Sequence, residues 1–174
     1  DQITTFAENY IRYMGEIIIK TPEQIEGIRQ SSRLAALTLD YVEEFVKPGV
    51  STGFLDHKIE DFITAHNAVA ATKGYNGFPS ASCISPNEVV CHGIPSEFIK
   101  LKEGDIINID VTTILNGYYG DTSRMYTVGR VSHPARELIE AARHSLGLGI
   151  QQVRPGTQFG HIGFVLRRYI RSRG

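Results

Sequence analysis

Two β-forming runs separated by Asn116-Gly117 constrain this chain more than any other feature. Residues 106–113 are rich in Ile, Val and Thr, residues 118–128 in Tyr, Thr and Val, and Asn-Gly is the strongest short-range signal for a hairpin turn. In the first run Asn108, Asp110 and Thr112 alternate with Ile107, Ile109 and Val111, which predicts one polar and one buried face. A two-residue loop pairs Leu115 with Tyr118, sets Asp110 opposite Ser123 and sets Asp121 opposite Thr112. Both carboxylates then share the polar face as diagonal neighbours about 7–8 Å apart. A loop one residue longer would send Asp121 to the other face.

Alone, two aspartates on a hairpin face water. Here no Lys or Arg lies between them in the polar rows, so either one takes up a proton or a cation sits between them. Oxygen ligands around divalent ions about 3.5–4 Å apart are a usual frame for metal-assisted hydrolysis. Thr112 and Ser123 share the face, Asn108 extends it, and His92, in a His92-Gly93-Ile94-Pro95 turn, precedes Asp110 by 18 residues.

NEVVCHGIP, then GDIINIDVT, then GYYGDTSRMYTVG, in this order and spacing, resemble the first half of a type I methionine aminopeptidase, and the likeness runs from about Ile17 to the C-terminus. The resemblance implies the pita-bread fold, an α/β (α+β) architecture of two related halves around a dinuclear metal site; this chain would hold the first half and the opening helices of the second. It further implies removal of the initiator methionine, with the N-terminal Met of nascent polypeptides as substrate and the ribosome as a candidate partner. By position, Asp110 resembles the bidentate ligand of one metal and Asp121 the bridging carboxylate. His92 resembles the catalytic histidine that hydrogen-bonds substrate near the scissile bond. Asn108 and Val111 match positions whose backbone carbonyls hold a monovalent cation, and Thr112 matches a hydroxyl behind the ligands. Tyr75, Phe78 and Cys83 match the wall of the methionine pocket. The two divalent ions could be Co, Mn, Fe, Zn or Ni, because affinity order does not fix loading in cells. Prolidase and creatinase relatives share the architecture, and a non-catalytic binding module is a third reading.

With 174 residues, 41% hydrophobic, the chain can build one domain with a real core. A net charge of −1 argues against a general nucleic-acid surface, although the last segment is basic. Cys83 and Cys91 are too far apart for a redox pair, no run approaches the ~18 apolar residues of a membrane span, and the first residues do not show a charged segment followed by an apolar core. A reduced, cytoplasmic protein is expected.

Residues 1–16 precede the family-like core 17–174 as an extension, with Phe6, Tyr10, Ile11 and Met14 at helical spacing. Thr21-Pro22 opens a helix expected to reach Val46 before Lys47-Pro48-Gly49, and Ser51-Thr52 caps a second. His57 and His66, nine residues apart on it, do not have the spacing of a helical metal pair. Ser132-His133-Pro134 starts a third helix, expected to run to Val153, and a fourth carries Phe159, Ile162, Val165, Leu166, Tyr169 and Ile170 as an apolar stripe. Val46-Lys47-Pro48-Gly49 recurs as Val153-Arg154-Pro155-Gly156 at an offset of 107, each between two amphipathic helices, which suggests a duplicated half-domain. One His and two Glu ligands and a second substrate-contacting His, which the resemblance assigns to the second half, have no matching position. His161 falls inside a helix, where a ligand is not expected. The sequence therefore reads as a fragment or ordered part of a longer enzyme, with a sheet edge and face left open.

Overall fold

The computed structural model describes residues 17–174; the extension expected over residues 1–16 lies outside the described residues. Helix α1, Pro22–Glu43, begins with Thr21 and Gln24 in a reciprocal capping box and with Pro at its first turn, so the donors that a helix start orphans are satisfied locally. It stops short of Val46. The Phe45 and Val46 N–H groups bond back only three residues, to Val42 and Glu43, and this tighter winding releases the chain before Pro48. Ser51 caps α2, Thr52–Ala65, accepting from the Phe54 N–H at 3.0 Å.

The sheet has four antiparallel strands: β1 (Val69–Ala70), β2 (Ser82–Pro86), β3 (Ile106–Leu115) and β4 (Tyr118–Thr127). β1 and β2 share one edge of β3, and β4 takes the other. Asn116 at φ 52° and Gly117 at φ 81° make the expected two-residue turn, and the register is the expected one: Leu115 opposite Tyr118, Asp110 opposite Ser123, Thr112 opposite Asp121. That settles the parity on which a shared carboxylate face depended.

Helices α1 and α2 cover the other face. Ile107, Ile109 and Val111 point into a core with Leu39, Val42, Leu55, Ile59 and Ile63, all at most 1% exposed. The Tyr126 hydroxyl donates to the Leu39 carbonyl at 2.7 Å, and the Thr113 hydroxyl to the Ser31 carbonyl at 2.9 Å. A Cβ on Gly120 would come within 2.3 Å of the Ser31 backbone, so only glycine lets α1 lie this close to the hairpin.

Ser132 caps α3, His133–Ile150, and α4 spans Phe159–Ser172. α3 ends three residues before Val153, again through bonds that reach back three residues, from Gln152 to Gly149 and from Val153 to Ile150. These two helices pack on each other, and α4 buries no residue among those described.

Candidate metal centre

The polar face of the sheet reads across its strands as Cys83, Asp110 and Ser123 in one row and as Thr112 and Asp121 in the next. Asp110 is half-buried and Asp121 exposed, and their carboxyl groups stand within hydrogen-bonding reach of each other. Burial raises the Asp110 pKa above its ordinary value, the Asp121 carboxylate adds to the rise, and His92 opposes it. An acid whose ionisation its neighbour discourages, with no Lys or Arg paired to either carboxyl among the described residues, forms with that neighbour an oxygen-donor pair suited to a divalent ion. They are two donors only. No group of three or more His, Cys, Asp or Glu gathers for a metal among the described residues.

His92 reaches this face through a tight turn. Cys91 at φ 53° and His92 at φ 47° both take the left-handed region, uncommon for residues with a side chain. Gly93 then lies flat on β2: the Ile84 N–H donates to its carbonyl at 2.9 Å, its own N–H donates to the Ser85 hydroxyl at 3.1 Å, and a Cβ there would sit 2.2 Å from the Ile84 carbonyl oxygen. Beyond the turn the chain is fastened to the start of α2. The Gly53 N–H donates to the Ser96 carbonyl at 3.1 Å, the Ser96 N–H to the Thr52 hydroxyl at 2.9 Å, and the Ser51 hydroxyl to Glu97 at 2.6 Å. The negative Glu97 at a helix N-terminus is favoured by the helix dipole as well.

Cys83 is buried beside Asp110, and its thiol is pushed up to about 11 by burial first and then by Asp110, Asp56 and Asp121. Phe78 is half-buried and Tyr75 69% exposed, both on the loop leading into β2. Asn108 lies on the polar face, with its amide 3.4 Å from the Ser123 hydroxyl, whereas the Val111 side chain points into the core, leaving only its backbone for any role in cation binding. Thr112 pairs directly with Asp121. His57 and His66 stay apart from the centre: His57 faces Glu97 at 3.8 Å, and His66 bonds the Phe62 carbonyl at 2.8 Å. His161 is exposed on α4 against Phe164. Sequence reasoning missed Glu97, Thr52 and Asp56. Ser51-Thr52 signalled only a helix cap, and nothing near Glu97 or Asp56 in sequence announces a partner.

The profile of metallopeptidase family M24 matches residues 26–174. The methionine aminopeptidase of Escherichia coli strain K12 is 47% identical over 159 residues, 91% of this chain and 60% of that relative. The crystal structure of methionine aminopeptidase from Rickettsia prowazekii superposes with a TM-score of 0.89 at 46% identity, covering 91% of this chain and 63% of that one. That of Thermotoga maritima gives 0.89 at 31% identity, covering 91% and 64%. The chain thus spans about 60% of the length of the curated relatives it matches.

Proposed function

Because the chain belongs to metallopeptidase family M24 and has the pita-bread architecture of the solved aminopeptidases, we propose that its function is the metal-dependent removal of the N-terminal methionine from nascent proteins. One observation carries this reading: Asp110 and Asp121 converge, with His92 beside them, on a face free of Lys and Arg partners among the described residues. Asp110 and Asp121 would hold divalent ions, which when bound lower the pKa of a water and polarise a carbonyl. His92 donates a hydrogen bond toward the scissile amide and steadies the charge that develops there. Its strained turn, pinned to β2 and to α2, holds it ready in that position. Thr112 orients Asp121 from the facing strand, and the Asn108 and Val111 carbonyls are the sites offered to a monovalent cation. Cys83, Phe78 and Tyr75 provide an apolar wall for the substrate's first side chain. A reduced, cytoplasmic setting suits two free cysteines, one of them exposed.

A second reading is a binding module that retains the fold without catalysis. A prolidase-like hydrolase is a further alternative. Divalent-ion content per chain and release of Met from a Met-Ala peptide, with Ala-Pro as the contrasting substrate, decide among them. About two ions per chain and Met release are expected, and Asp121→Asn should lose metal and at least about 10³-fold in activity. Unchanged metal loading and activity in Asp121→Asn would sink the centre. A wild-type protein with neither metal nor activity would leave the binding module.

A further inference from the structure

The site described so far has no use for one buried carboxylate. Asp56, on α2, is 6% exposed. Its Oδ1 accepts from the Ser82 N–H at 2.8 Å and from the Ser82 hydroxyl at 2.6 Å, and its Oδ2 accepts from the Ala81 N–H at 3.3 Å. Burial raises its pKa while those three donors pull the other way. On the far side of the same peptide units, the Thr72 hydroxyl donates to the Ala81 carbonyl. Residues 81 and 82 are therefore gripped from the helix and from the loop at once.

What hangs from this grip is the pocket wall. Thr72 and Ala81 close the base of a loop whose eight intervening residues include Tyr75 and Phe78. The loop is pinched again where the Gly74 N–H donates to the Phe78 carbonyl at 2.8 Å. Cys83 follows the grip directly and pairs with Asp110. One carboxylate thus fixes both the loop that carries two aromatic wall residues and the strand residue that carries the third. Core packing does not require a charge here, since Leu55, Ile59 and Ile63 already seat α2 with no exposed surface. A carboxylate is costly to bury, and its return is directional: three donors are held in a fixed arrangement that an apolar side chain could not impose.

We infer that Asp56 is the positioning residue of the first-residue pocket: with Thr72 it fixes residues 81–83 and the loop above them, and so sets the preference for an unbranched methionine side chain over a branched one. The inference rests on the function proposed above. It is a claim about selection, so the decisive readout is a ratio between substrates.

The test compares Met-Ala and Leu-Ala peptides in the full-length, metal-loaded protein carrying Asp56→Asn, with Thr72→Val in parallel. The amide keeps the shape of the carboxylate but sets its NH₂ against the Ala81 N–H. Expected are a KM for Met-Ala raised about tenfold, a kcat changed less than about threefold, unaltered metal content, and a Met-over-Leu ratio of kcat/KM that falls at least fivefold; Thr72→Val shifts both in the same direction by less. A ratio equal to wild type overturns the inference. So does a loss of kcat and metal in step with thermal stability at constant KM, because that is a structural role alone. Should Asp56→Asn not fold, Thr72→Val decides by the same ratio, since it leaves the buried carboxylate and its donors in place. If wild type releases no methionine, the proposed function fails, and the clamp is decided by alkylation of Cys83 in a Cys91→Ser background. At least tenfold faster labelling in Asp56→Asn supports it, and an unchanged rate overturns it.

Discussion

The α1–α2 pair and the α3–α4 pair are built from the same plan and end up in opposite conditions. Each is two amphipathic helices joined through a Pro-Gly turn, Lys47-Pro48-Gly49 in one and Arg154-Pro155-Gly156 in the other. The first pair buries residues all along its inner face, including Leu34, Leu39, Val42, Leu55, Ile59 and Ile63. The second buries only Ala141, Ser145 and Gly149, and leaves Leu146 at 61%, Ile150 at 62% and Phe159 at 92% exposed. Apolar segregation does not explain the contrast, for α4 carries a clean apolar stripe. The partner does. α1 and α2 meet strands that present Ile107, Ile109 and Val111, whereas α3 and α4 pack chiefly on each other among the described residues. An amphipathic stripe makes a helix ready for a core, and only a facing apolar surface makes the core.

The widest separation between the pairs is expected in stability. Ile109→Ala should cost about 2–5 kcal/mol in urea unfolding, and Leu146→Ala, on the second pair, less than about 0.5 kcal/mol. Comparable losses would mean that the second pair is covered in solution and would break the comparison. The glycines sharpen it at the next level. Gly120→Ala drives a Cβ to within 2.3 Å of the Ser31 backbone and should cost about 1–3 kcal/mol. Gly149→Ala crowds the Leu166 side-chain tip at 2.7 Å, which can swing away, and meets Ile162 at an ordinary 3.6 Å, so the gain in helix propensity should bring its net cost below about 1 kcal/mol.

The gentlest check needs no mutation and contrasts covered with uncovered thiols. With Cys83 held up to about 11, only about a thousandth of it is thiolate at pH 8, and it is buried as well, while Cys91 is exposed. One fast-reacting thiol per chain is expected with a disulfide reagent at pH 8, and a second only on unfolding or near pH 11; two fast thiols would show that β2 is not packed as described. The sign for stability follows. Between about pH 9 and 11 the unfolded chain gives up the Cys83 proton and the folded one keeps it, so the folded state loses stability as pH rises through that window.

Much of this could be read beforehand wherever the deciding interaction is local. Thr21, Ser51 and Ser132 announce helix starts because a cap bonds a backbone N–H within the first turn, and all three cap as expected. Asn116-Gly117 announces the hairpin because both residues must adopt positive φ. From that turn and a period of two, the pairing of Asp110 with Ser123 and of Thr112 with Asp121 follows by counting. Helix ends were less legible: α1 and α3 both stop three residues early, since a last turn can tighten at little cost and no side chain marks the place.

The sequence by itself determined the hairpin, its register, the shared face of the two aspartates and the helix starts, because each depends on neighbours along the chain or on strict alternation. Only the tertiary structure decided how α1 and α2 seat on the β-sheet, how the His92 turn is fastened through Ser96 and Glu97 to α2, and that Asp56 grips Ala81 and Ser82 from 25 and 26 residues away. Those contacts join segments whose separation carries no periodic or compositional signal, and they exist only once the β-sheet and α2 have been brought face to face.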